Sequence, residues 1–402
     1  MATFEIRLKQ LFSWTTLFLV SILPIKIVWE RLLGPVVSQG QIDNITSLIG
    51  GMIVVVAIFS IAIMVRERVV LTVSDKLITV FFFLAIISQV WAAEFAPGFL
   101  IGVRYSLFAV LSYFIGRAQI LRIDKLDEIL KYLLVFTVIF AGTQYIIWAL
   151  GYGDFLLRIG FGIEHFAGSW PRISGPFPGP NQLATFLAIS TLWLFWRKKL
   201  PEYLLIASSA VILLTFSRSA ILGFFAGYII PLIITRLENG SWKKTLIVTV
   251  VSVLAVALSI TLIRPLRSSF IDMRHTDERV SALEDAYNRF SSSSFTELSF
   301  GHGAGSSGPA SVYSDKPFVP ENWFIQIGYE YGLIGLLILV SFWASIGAAS
   351  YKRKELWLLG IILMVGVNSF FLHPLSDNTP AAIWFYLLLG VGLTKLRREE
   401  HV

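Results

Sequence analysis

Glu321, Asn322, Gln326 and Glu330 stand at the head of a long apolar run, and the last three are spaced i, i+4, i+8. On a helix that spacing puts them on one face, which is costly against lipid and must look into the protein or a wet cavity. Pro320 is a good helix-starting residue, so Glu321 and Asn322 fall in the first turn, at a membrane surface. A carboxylate placed there can accept a proton from a substrate hydroxyl. Gln326 and Glu330, deeper along the stripe, can line a site or hydrogen-bond between helices and hold a bundle together. Arginine offers a second chemistry, because its guanidinium fork binds phosphate or carboxylate bidentately. Arg218 sits in the tight turn TFSRSA between two apolar runs, beside hydroxyls, where a lipid diphosphate would rest; a snorkelling side chain is the plainer alternative. Arg172 opens RISGPFPGPNQLATF, an irregular Pro- and Gly-fixed backbone that carries Asn181 and Gln182 into a helix. Arg104 lies about one turn inside another apolar run; it is a functional candidate on that ground, or else is neutralised by a neighbouring helix.

These residues must be positioned by membrane helices. Of 402 residues 55% are apolar and 15% charged, and the mean hydropathy is +0.72. That composition reads as an all-α polytopic membrane protein. Twelve segments can span a bilayer: 11–29, 45–64, 77–93, 99–115, 129–150, 181–196, 200–216, 219–235, 246–263, 322–347, 355–371 and 380–394. An even count puts both termini on one side, and 21 of the 33 basic residues fall there, so the positive-inside rule makes it the cytoplasm. The net charge of +7 is then a topology signal and needs no nucleic acid. The basic residues of the other face are nine arginines and one lysine, a preference for the phosphate-binding cation.

The expected organisation is a first block, 1–263, with nine spans and a shorter outer loop at 151–180. A large periplasmic loop, 264–320, and a last block, 321–402, with three spans follow it. Within the large loop, TDERVSALEDAYNRF has an N-cap in Thr276, acids in its first turn, and Val280, Leu283, Tyr287 and Phe290 at helical spacing. It predicts an amphipathic helix lying against the membrane domain and presenting Arg279 and Arg289 from its other faces. The Gly- and Ser-rich stretch that follows, which contains His302, can form an anion-binding nest or only a turn.

The sequence also narrows the chemistry. It has no cysteine. His165, His302 and His373 stand apart in the sequence without HxxxH, HxH or DxD spacing, so no metal is expected. No P-loop, dinucleotide fingerprint or GxSxG elbow occurs, and no cofactor is expected. Any activated donor must therefore be carried by the membrane itself. A twelve-span transporter or flippase is the rival class, but such carriers commonly show two related halves, and no internal repeat is present here.

In order along the chain, RISGPFPGPN, TFSRSAILGF, DERVSALEDAYNRF, SFGHGAGS and ENWFIQIGYEYGLIG resemble the landmarks of the O-antigen ligase and O-antigen polymerase family of bacterial inner-membrane glycosyltransferases. The resemblance implies a metal-independent, inverting transfer on the periplasmic face. Its donor is an oligosaccharide on undecaprenyl diphosphate and its acceptor a glycan or lipid hydroxyl, with or without a chain-length regulator as partner. It further implies that Arg218 and Arg279 hold the diphosphate; Glu321 stands where the ligase branch has its proposed base, and a carboxylate there can serve as base or orient the acceptor. Arg172, Asn181, Arg104, Arg289, His302, Asn322, Gln326 and Glu330 are the expected substrate contacts. In the ligase branch the last motif begins with a His-Asn pair, which here reads Glu321-Asn322. That departure favours a polymerase of O-antigen or exopolysaccharide repeat units over a ligase acting on lipid A core.

Overall fold

The computed structural model describes residues 12–16, 18, 19, 21, 28, 39–91, 98–118, 122–163, 166–167, 170–238, 274–313, 317–376 and 379–398. Among them the chain is all-α apart from one two-stranded ribbon. Long helices run over Gln39–Arg66 (α1), Val73–Trp91 (α2), Gly98–Arg117 (α3) and Ile123–Ala149 (α4). A short turn, Gly153–Arg158 (α5), and the ribbon Phe166–Ala167 (β1) with Trp170–Pro171 (β2) lead back to Pro180–Trp196 (α6). Then come Glu202–Leu214 (α7), Arg218–Glu238 (α8), the loop helices Arg274–Ser292 (α9) and Phe295–Phe300 (α10), and a 3-10 turn at Gly308–Tyr313. Trp323–Lys352 (α11), Leu356–Ser369 (α12) and Thr379–Arg398 (α13) complete the chain.

Ten of the twelve expected spans fall on these helices; 246–263 lies outside the described residues and 11–29 largely so. By length and composition, Leu48–Arg66, Ile123–Ala149, Arg218–Leu237 and Trp323–Lys352 can cross a membrane.

The bundle is closed by close backbone approach. α3 packs on α13 at Gly116 and Gly390, where a Cβ on either would collide with the carbonyl of Leu387 or Tyr113 on the other helix. Small residues bring helices together in this way when lipid supplies no hydrophobic drive. Two buried ion pairs lock the ends from which α2 and α4 start. Arg117 on α3 donates to Asp75 on α2 through Nε at 2.7 Å and Nη2 at 2.8 Å, the Tyr113 hydroxyl adds a bond of 2.7 Å, and Thr394 on α13 takes the remaining nitrogen. Arg197, just past α6, forks onto Asp127 of α4, which also accepts the Trp193 indole N–H at 2.7 Å.

Two elements differ from expectation. The helix foreseen in the large loop is present as α9, but three of its four stripe residues do not lie on the membrane domain: Val280, Leu283 and Tyr287 are 49%, 50% and 73% exposed. Contact is made one side further round and nearer the C-terminal end, where small Ala286 lets the helix approach Phe318 and Tyr329 and Phe290 meets the Tyr329 ring edge-on. The other difference is in α11, foreseen as one continuous helix. It is broken at Gly332, whose φ of 70° and ψ of 175° only glycine adopts readily. Breaking a membrane helix frees carbonyls that must be satisfied within the protein. Here the turn after α10 does so: the His302 amide donates to the Tyr329 carbonyl and the Gly303 amide to the Glu330 carbonyl, both at 2.9 Å. Gly301 and Gly332 permit the crossing, since a Cβ at either would strike the opposing backbone.

Candidate active site at one end of the bundle

α6, α8, α11 and α13 all begin, and α12 ends, at one end of the bundle. Asn368 near the end of α12 donates to the Thr185 hydroxyl of α6 at 2.9 Å, and the Asn322 side-chain amide donates to the Phe370 carbonyl just past α12 at 3.0 Å. The end of α12 therefore ties the region around Arg172 and Arg218 to the head of α11.

On the first side, Arg172 donates from Nε to the Thr215 carbonyl and from Nη2 to Asn181 Oδ1, each at 2.9 Å. Thr215 and Phe216 belong to the turn that presents Arg218. Phe216 takes a φ of 50°, a left-handed conformation uncommon for a bulky side chain and a local strain that fixes the turn. Two residues 46 apart in sequence thus face each other. Burial, followed by the positive charge of Arg218, pushes the Arg172 guanidinium down to about 10. Two cations held together beside the N-termini of two helices make a region of positive potential suited to an anion.

On the second side, Asn322 is the N-cap of α11: its Oδ1 accepts from the Ile325 amide at 3.1 Å, as an asparagine does at that position. Glu321 before it is exposed and has a φ of 46°. This non-glycine left-handed residue is the kind of strain that surrounding structure must impose. Gln326 and Glu330 are 2% and 1% exposed. Gln326 Nε2 donates to Glu330 Oε1 at 3.1 Å, and Ser307 reaches the same oxygen at 3.5 Å. With its amide nitrogen committed to Glu330, Gln326 turns Oε1 to His373 Nδ1 at 2.7 Å. His373 is thereby the donor through Nδ1 and leaves Nε2 a bare, buried acceptor. Burial holds this imidazole down to about 4, so it is neutral at neutral pH.

The remaining expected contacts are placed as follows. Arg289 is engaged within the loop: it bonds Asp285 at 3.0 Å and the Pro317 carbonyl at 3.3 Å and lies 4.7 Å from the Phe318 ring centre. His302 stacks on Tyr329 at 4.0 Å and contacts the Ser293 hydroxyl at 3.2 Å; burial depresses its pKa. Arg279 lies on α9 and Arg104 on α3, and their side chains are outside what is described. Among the described residues no three His, Asp or Glu side chains converge on a metal-sized site.

The structure therefore joins Arg172, Asn181 and the Arg218 turn on one side and Gln326 and Glu330 on the other. Sequence reasoning missed His373 as a member of the second group. Its partner lies 47 residues away, and its sequence signal is a lone histidine in a short loop between apolar segments.

Residues 203–340 match the O-antigen ligase family. The matched stretch takes in α7, α8, the loop helices and the first half and more of α11, and supports assignment to the O-antigen ligase and polymerase family. It contains Arg218, Arg279, Glu321 and the Gln326–Glu330 pair; Arg172, Asn181 and His373 lie outside it. No curated protein matches the chain. Apolar helices and the family match together support a multi-pass inner-membrane protein of O-antigen ligase or polymerase type.

Proposed function

We propose that the protein is a glycosyltransferase that polymerises lipid-linked O-antigen or exopolysaccharide repeat units on the periplasmic face of the inner membrane. The donor is a glycan on undecaprenyl diphosphate. Arg172 and Arg218, with Arg279 from α9, hold the diphosphate and take up the negative charge that grows on it as it leaves. Glu321 accepts the proton of the acceptor hydroxyl, whose oxygen forms a bond to the anomeric carbon from the face opposite the departing phosphate. The glycosidic phosphate bond breaks, configuration inverts, and undecaprenyl diphosphate departs with the electron pair. No metal or nucleotide enters this scheme. The observation that carries it is the pairing of Arg172 with the Arg218 turn at the end of the bundle where Glu321 opens α11.

The test is direct. Purified protein is incubated with undecaprenyl-diphosphate-linked repeat units without metal or nucleotide, and the lipid products are run on a gel. A ladder of longer lipid-linked chains is expected, and Arg218→Ala and Glu321→Ala each abolish it while the protein still inserts. Near-normal polymer from both variants sinks the proposal. The ligase reading is favoured by the description of the matching family. It predicts no ladder, but a glycan-modified core when lipid A core is added.

A further inference from the structure

At the end of the bundle away from Arg172 and Arg218, the start of α2 and the last turns of α11 and α13 line an open cavity of about 600 Å³. α11 spans 30 residues, so at about 1.5 Å per residue its two ends are roughly 45 Å apart, less whatever the break at Gly332 removes. Lys76, Lys352 and Arg353 line the cavity, and among the described residues no Asp or Glu does. The acid nearest in sequence, Asp75, is turned inward onto Arg117. Lys76 and Lys352 make no ion pair among the described residues. The rest of the wall is largely apolar, with Leu71 and Leu393 among it, and Leu71 is itself 54% exposed.

A small soluble anion is matched by cations alone and gains nothing from an aliphatic wall. An amphiphile with a phosphate at one end is matched by both. The volume lies within the range of a ligand pocket, and basic pockets between transmembrane helices are where anionic headgroups settle. We propose that this cavity binds the phosphate headgroup of an anionic membrane phospholipid, with the glycerol and upper acyl chain against Leu71 and Leu393. The site is separate from the proposed glycosyl-transfer site and does not depend on that reading. Its consequence is mechanical: a lipid held there joins the ends of α2, α11 and α13, and α11 carries Glu330 and Gln326 toward its other end.

The experiment uses the full-length protein in detergent, relipidated with phosphatidylglycerol or with phosphatidylcholine of the same chains. Native mass spectrometry counts retained lipid, and thermal melting reports stabilisation. Phosphatidylglycerol is expected to be retained and to raise the melting temperature, and phosphatidylcholine is not. In the Lys76→Gln/Lys352→Gln double variant, retention falls by about tenfold or more, from two lysines at roughly one kcal/mol each. A second double variant, Lys198→Gln/Lys199→Gln, removes exposed lysines elsewhere and is expected to keep the lipid. Equal retention of both lipids by the unaltered protein overturns the proposal, as does equal loss from the two double variants. Stabilisation by inorganic phosphate or glycerol phosphate matching that of phosphatidylglycerol overturns it as well, because the occupant is then a soluble anion.

Discussion

Arg117 and Arg172 are both held within the protein, at opposite ends of the bundle and in opposite company. Arg117 meets Asp75 twice, a tyrosine hydroxyl meets the same carboxylate, and the assembly is 2% exposed or less at its two charged side chains. Arg172 is half-buried, and among the described residues it bonds a carbonyl and an amide oxygen while the like charge of Arg218 acts on it. A buried charge is tolerated when a counter-charge is supplied. At the first end the chain supplies its own; at the second it supplies another cation. One arrangement stabilises a fold, and the other is the place that the proposed function gives to an anion from outside.

The comparison is tested most severely by Asp75→Asn. It leaves Arg117 buried without its partner and is expected to cost about 3–5 kcal/mol, read as a fall in melting temperature in detergent. An unchanged melt would remove the distinction between the ends. Next in size is the pH response of the second end. His373 has a folded pKa of about 4 against an ordinary 6.5, so between these values the unfolded chain binds a proton that the native state does not. Stability contributed by the neutral imidazole is full above pH 6.5 and is lost as pH falls toward 4, by at most about 3 kcal/mol. Denaturation followed over that window should show the slope in the native sequence and a flatter one in His373→Gln.

Gly332→Ala is expected to cost about 1–3 kcal/mol, since the left-handed backbone and the contact with Ser299 both oppose a Cβ. Limited proteolysis of the loop helices should become faster in that variant. Arg172→Gln separates binding from folding. Stability changes by no more than about 1–2 kcal/mol, as two bonds to neutral oxygens are lost. Affinity for geranyl diphosphate, measured by calorimetry, falls about 10–100-fold, because a charge-assisted contact disappears. A loss of stability as large as that of Asp75→Asn, with unchanged affinity, would make Arg172 another structural arginine. The smallest effect is expected of Arg289→Ala, about 1 kcal/mol by melting, since its partner Asp285 is half exposed and its bond to the Pro317 carbonyl is long at 3.3 Å.

What the sequence made legible follows from how local each signal is. Apolar runs of span length located helices, because hydropathy is summed over consecutive residues. The Arg218 turn was legible for the same reason, with its short polar interruption between two such runs. The stripe Asn322, Gln326, Glu330 was legible by spacing, but its partition was not: Asn322 caps the helix, whereas Gln326 and Glu330 are buried and bonded. Nothing local distinguishes a capping asparagine from a ligand contact. The pairings Arg172 with the Arg218 turn and Gln326 with His373 depend on tertiary packing over more than forty residues, beyond any periodicity. The break at Gly332 was hidden because one glycine in an apolar run is unremarkable until the partners of the carbonyls before it are known. The exposed stripe of α9 was misjudged because hydrophobic spacing states which side chains share a face and not what covers that face.

The break in α11 has a further consequence for movement. Because the turn Gly301–Gly303 splices onto the carbonyls of Tyr329 and Glu330, α10 and the first stretch of α11 form one lever, with its fulcrum at Gly332. A displacement of α10 by itself would break both of those bonds; one that keeps them carries Gln326 and Glu330 with it.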